Sequence, residues 1–254
     1  ALPSGNPYAP DSSVPIRSFA VQFSQANGQQ WRTGMNSMPV FPVGTPEAFY
    51  QLLKAGAPDP ATGKPNPSSM PAFFAAHPET APFLAWVKTA KPSASYATET
   101  YNGINAFYLV AADGTRQAVR WEVVPQSQDA AGDTAPAGSD FLEQDLVRRL
   151  AAGPLRWQLN MTLANPGDPL DDASKTWTGA HKVLNAGTLV LQSSQPQADG
   201  DCRDINFDPL ILPSGIQASN DPLLAARSAA YASSYLRRAG EVSPLHSAPQ
   251  ESKP

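Results

Sequence analysis

Between residues 17 and 24 the chain alternates, with Phe19, Val21 and Phe23 on one face and Ser18, Ala20 and Gln22 on the other. A period of two is that of a strand with one buried face. Strand character recurs over residues 105–111, 116–124, 156–163 and 183–192. The first two of these flank Ala112-Asp113-Gly114-Thr115, and Asp-Gly between strands is a strong hairpin signal. Gly187 interrupts the last stretch and marks a bulge or bend. Alternation with polar neighbours places Phe107, Trp157 and Leu159 in the core. Helical patterning covers residues 45–55, with Thr45 as cap and Pro46 in the first turn, and residues 140–152. Shorter helices are expected over 70–77 and 79–89. Hairpin-linked strands with a few helices predict an α+β fold, an antiparallel β-barrel with helices outside it.

The last periodic segment is the longest. Asp221 before Pro222 is a helix start, and Gly240 falls where a C-terminal cap ends such a helix. At ~100° per residue, Arg227, Tyr231, Tyr235 and Arg238 lie at roughly 0°, 40°, 80° and 20°. Four large polar side chains therefore share one narrow face of a helix otherwise rich in Ala and Ser. An arginine one turn before a tyrosine has two readings. A nearby guanidinium favours a phenolate, which is a hard ligand for ferric iron. Alternatively, the tyrosine packs in the core and the arginine solvates the rim of an amphipathic helix.

Composition narrows the function. A chain of 254 residues can bury a sizeable core in one domain, and 41% hydrophobic residues with a net charge of −4 are ordinary values. No apolar run is long enough to insert in a membrane as a helix. No basic stripe exists to neutralise phosphates, which argues against nucleic acid as a partner. Cys202 is the lone cysteine, so an intrachain disulfide and a cysteine-cluster metal site are excluded. His77, His181 and His246 are too far apart in sequence for a usual zinc motif. Proline-rich loops are expected at 58–69 and 125–139, and 241–254 reads as an irregular tail to a single domain over 1–240.

Five blocks occur in a set order: Arg17-Ser-Phe-Ala-Val-Gln-Phe23, Asn36-Ser-Met-Pro39-Val-Phe41, Asn102-Gly-Ile-Asn-Ala-Phe107-Tyr-Leu-Val110, Phe207-Asp-Pro-Leu-Ile-Leu-Pro213-Ser-Gly-Ile216, and the C-terminal helix. Together they resemble the haem catalase superfamily, and more closely its short branch, the catalase-related haem peroxidases. The resemblance implies the catalase barrel, haem b as cofactor, and reduction of hydrogen peroxide or organic peroxides with a small organic electron donor. It assigns Tyr231 as the axial iron ligand and Arg227 as its hydrogen-bonding partner. Arg238 becomes a candidate contact to a haem propionate, since guanidinium forks suit carboxylates, or else a solvated charge near a helix C-terminus. Asn36 falls where catalases place an amide that hydrogen-bonds peroxide, although an Asn before Pro39 also suits a turn. Phe41 and Phe49 fall where catalases put aromatics beside the haem and its channel, and Phe49 equally suits ordinary core.

Catalases carry a distal histidine upstream of the first core strand, and none of the three histidines here falls at that place. Ala1 has neither initiator nor signal-peptide character, so the chain reads as a fragment or a processed form. An upstream segment or a second chain is the expected source of the histidine. A rival reading is a haem carrier or sensor that keeps the barrel without turnover. Another is a barrel for some other hydrophobic ligand. The resemblance also allows a homo-oligomer, and the leaders of close relatives favour the periplasm.

Overall fold

The alternating runs become strands. In the computed structural model, which describes residues 9–13, 15–91, 93–127, 140–196 and 200–240, β1 (Ser18–Ser24) pairs with β2 (Gln30–Asn36). The second hairpin joins β3 (Tyr101–Val110) to β4 (Arg116–Pro125), with Gly114 at φ 84° in its turn. β5 (Leu155–Leu163) and β6 (Val183–Leu191) follow, and Gly187 lies at the register shift between them, as its position predicts. All pairings are antiparallel, in the order β1-β2-β3-β4-β5-β6, and the short β7 (Ile216–Ala218) adds to β3.

β2 and β7 are additional to the five expected strands. The inward face of β2 carries Trp31, Thr33 and Met35, and a threonine in the core breaks the apolar alternation. β7 is three residues long, too short for a period to register.

The helices follow their start signals. In α1 (Pro46–Gly56), the Thr45 hydroxyl accepts from the Ala48 N–H at 3.2 Å. α2 (Ser69–Ala76) and α3 (Ala81–Thr89) are separated by a 3₁₀ turn over Pro78–Thr80, and α4 (Phe141–Ala152) lies between β4 and β5. α5 (Pro222–Gly240) spans the predicted C-terminal helix. Residues 241–254, with His246, and most of the 125–139 loop lie outside the described residues.

The main core fills the concave side of the sheet. Trp31, Met35, Tyr101, Phe107, Val119, Trp121 and Trp157 are its large members. Phe107 and Trp157 are buried as expected, whereas Leu159 is only half-buried, because it stands in the wall of an internal cavity. The expected barrel takes the form of a curled half-barrel. Among the described residues, no backbone pairing joins β1 to β6. Side chains bridge instead, with Phe19 of β1 packing on Trp157 of β5 at 5.4 Å between centroids. A second cluster of Val43, Ala48 and Phe73 seats α1 and α2, with Phe41 and Phe49 packed against it.

One close approach yields a stability prediction. Gly103 faces Trp121 across the β3–β4 pair, and a Cβ there would come within 2.6 Å of the indole Nε1. The indole is held, because it donates to the Thr33 hydroxyl at 3.1 Å. Gly103→Ala is therefore expected to destabilise by about 1–3 kcal/mol, as overpacking does. Urea titration should show a lower midpoint at an unchanged slope.

Candidate functional site

The N-terminus of α5 anchors a chain of hydrogen bonds. Asp221 Oδ1 accepts from the Leu223 N–H at 2.9 Å, which caps the helix, and Oδ2 accepts from Asn105 Nδ2 at 2.8 Å. Asn105 Oδ1 in turn accepts from Arg227 Nη1 at 2.7 Å. Arg227 Nη2 donates to the Tyr231 hydroxyl at 3.4 Å, the long end of the range. A carboxylate only accepts and a guanidinium only donates, so the amide between them has one possible orientation. Asp221 and Asn105 are each 3% exposed, which makes these contacts hard to replace with water.

Local sequence explains how the chain is assembled. β3 is irregular between Gly103 and Phe107, and residues Gly103 to Phe107 are all buried where regular alternation would expose every second one. That irregularity turns Asn105 toward α5. The guanidinium lies against β2, where a Cβ on Gly34 would stand in van der Waals contact with Arg227 Nη2 at 3.4 Å.

Burial pushes the Asp221 carboxyl above its ordinary range, while the bonds from Asn105 and Leu223 act the other way. A carboxyl raised in the folded state holds its proton longer there than in the unfolded chain. Its contribution to stability is complete below about pH 4, the unfolded value, and is lost as pH rises through the folded one. Asp221→Asn keeps a capping oxygen and should flatten that part of the pH–stability curve. Urea midpoints measured from pH 3.5 upward test it (an arbitrary start below about pH 4); an unchanged slope contradicts it.

Tyr231 and Arg227 face a cavity of about 490 Å³ between α1 and α5. Asn36, Phe41 and Phe49 also line it, and a neighbouring space of about 330 Å³ shares Asn36, Phe41, Arg227 and Tyr231. Asn36 ends β2, where its Oδ1 accepts from the Ser18 hydroxyl at 2.7 Å. The Nδ2 donor is then what this amide can offer a ligand. The Phe41 and Phe49 rings lie 5.0 Å apart, and the Phe41 N–H donates to the Ala173 carbonyl at 2.9 Å. Ala173 belongs to a loop that Arg120 holds through the carbonyls of Lys175 (2.9 Å), Asp172 (3.3 Å) and Pro169 (3.4 Å). Burial lowers the Arg120 guanidinium to about 10, with Asp221, Asp168 and Asp172 opposing the shift.

The structure thus brings Asn36, Phe41, Phe49, Arg227 and Tyr231 to one cavity. Arg238 is not among its lining; it donates to the Ile205 carbonyl at 3.5 Å and lies 6.0 Å from the Tyr235 ring centroid. His77 bonds Glu79 at 2.8 Å and Gln51 at 3.1 Å, and His181 bonds Asp168 at 2.8 Å, both away from the cavity. Asn105 and Asp221 are the site residues that the sequence pattern missed. Their signal was weak: an amide inside an apolar strand, and an aspartate that already had a role as a helix cap.

The family model for Catalase matches residues 4–244. The chain belongs to the catalase family. It is 38% identical over 243 residues to a catalase-related peroxidase of Synechococcus elongatus, a match covering 94% of this chain and 71% of that protein. A catalase-related peroxidase of Mycolicibacterium paratuberculosis is 31% identical, covering 93% of this chain and 75% of that one. In structure the chain resembles a fungal catalase, with a TM-score of 0.82 at 18% identity over 93% of this chain and 50% of that one. It therefore spans about half the length of the fungal catalase. These structural likenesses support the catalase-type α+β fold. The cavity in this chain is lined by the phenol oxygen of Tyr231, the amide of Asn36 and mostly apolar side chains.

Proposed function

We propose that the chain is a haem-dependent peroxidase, with haem b held between Tyr231 and Asn36, that reduces hydrogen peroxide or organic peroxides using a small organic electron donor. The observation that carries this reading is the pairing of Arg227 with Tyr231 at the wall of a cavity that Asn36 also lines. The relatives named catalase-related peroxidase support it, and they favour turnover over the carrier or sensor alternative. The residues fit the cofactor. Tyr231 offers an oxygen ligand, Arg227 carries the positive charge that favours a phenolate, and Phe41, Phe49, Ile104 and Leu223 offer apolar surface to a porphyrin.

When bound, the haem supplies the iron at which the peroxide O–O bond is reduced by two electrons. The protein's part is positional. The Asp221–Asn105–Arg227 chain fixes the guanidinium, and the guanidinium fixes the phenol oxygen from which ligation is made. Asn36 holds peroxide by donating from Nδ2, a group that does not titrate and so orients substrate at any working pH. The Phe41–Phe49 pair keeps that side of the cavity apolar. Arg238, which lies outside the cavity lining and donates from Nη2 to the Ile205 carbonyl, stays a candidate for a propionate contact.

Haemin titration of the purified full chain, followed by peroxide-dependent oxidation of a phenolic dye, tests the proposal. A stoichiometric Soret band with turnover is the expected result. Haem uptake without turnover would favour the carrier, and no uptake would reject haem altogether.

A further inference from the structure

We infer that the inside of the half-barrel is a second binding site, for a small apolar molecule carrying one hydrogen-bond acceptor. A cavity of about 120 Å³ lies between β1 and β6, the two edges of the sheet. It shares no lining residue with the larger cavity at Tyr231, and only Met35 with the smaller one. Val21, Phe23, Val123 and Leu159 give it apolar walls.

Its polar feature is Trp31. This residue is 8% exposed, and its indole N–H is shut from solvent with no acceptor among the described residues. Native proteins keep few buried donors of that kind, and each has a cause. The ring is not free to seek a partner. Phe23 stacks on it at 4.7 Å and 18°, and Trp121 meets it edge-on at 5.0 Å and 89°. The nearby Thr33 oxygen already accepts from Trp121.

An opening exists on the β6 side, where Ala186, Gly187 and Thr188 are exposed and a Cβ on Gly187 would touch nothing within 4 Å. A dry apolar cavity of roughly 150 Å³ accommodates benzene. The space here, about 120 Å³, is smaller but open on the β6 side, so a small ring with one carbonyl or ether oxygen is accommodated by extending into that opening, with its oxygen on the indole.

Cyclohexanone is the probe, and cyclohexane is its counterpart without the acceptor. Both are titrated into the full chain labelled with ¹⁵N, with the Trp31 indole resonance assigned through its β2 neighbours and checked in Trp31→Phe. A saturable downfield shift of that resonance is expected, with cyclohexanone binding about fivefold to tenfold tighter than cyclohexane, the worth of one hydrogen bond. Ala186→Leu narrows the opening and should abolish the shift at the same concentration, while haem uptake at Tyr231 stays unchanged. An unmoved Trp31 indole in folded protein, equal affinities for the two probes, or a shift that survives Ala186→Leu would each overturn the inference. So would a crystal structure with a water on Trp31 Nε1 that cyclohexanone does not displace.

Discussion

Tyr231→Phe is expected to lose haem by more than about 100-fold in affinity, because removing even a neighbour of a metal ligand costs roughly 10–100-fold. The substitution deletes one oxygen and little packing. Tyr231 is half-buried, and its hydroxyl has one long contact, to Arg227. Circular dichroism and the melting temperature of the apoprotein should therefore be unchanged, which separates ligand loss from unfolding. Whatever haem the variant retains should lack the charge-transfer absorption of a ferric phenolate. An absorption spectrum identical to that of the parent would show that the iron ligand lies elsewhere.

Much of this was legible in the sequence because the decisive signals were local. Thr45-Pro46 and Asp221-Pro222 mark helix starts through capping chemistry that depends on three or four consecutive residues, and both caps form as the sequence predicts. The face shared by Arg227, Tyr231, Tyr235 and Arg238 follows from helical pitch alone, and these four are half-buried on a helix whose intervening positions are largely exposed. What stayed hidden depends on partners distant in sequence. Asn105 and Asp221 are separated by 116 positions, and only the irregularity in β3 turns the amide to the helix. Arg238 has nearly the same helical phase as Arg227 but donates to a backbone carbonyl, and about two helical turns separate it from Tyr231 at the edge of the cavity. Phase along a helix is readable; depth along it is not. The half-burial of Leu159 has a similar origin, because alternation specifies which side of a strand faces in and says nothing of whether that interior is filled.

Asn105→Leu tests whether the hydrogen-bonded chain behind Tyr231 matters. The leucine keeps the approximate volume but removes both polar ends, leaving Asp221 Oδ2 and Arg227 Nη1 without their bonds. Hydrogen bonds to charged groups are worth about 1.5–3 kcal/mol each, and a buried carboxylate left short of a partner carries the larger share. The expected loss of stability is therefore about 3 kcal/mol, most of it from the Asp221 side. Haem affinity should fall roughly 10–100-fold in addition, because Arg227 loses the contact that aims it at the phenol. A double-mutant cycle of Asn105→Ala with Asp221→Ala separates the two effects. Its stability coupling should reach about 1.5–3 kcal/mol. Haem affinity, by contrast, should already have dropped in Asn105→Ala and fall little further when Asp221 is removed as well, since the contact aiming Arg227 is gone in both. If the two substitutions prove additive in stability and neither moves the Soret band, the bonds from Asp221 to Arg227 serve only the fold, and the guanidinium is held at Tyr231 by its packing against Gly34 and β2.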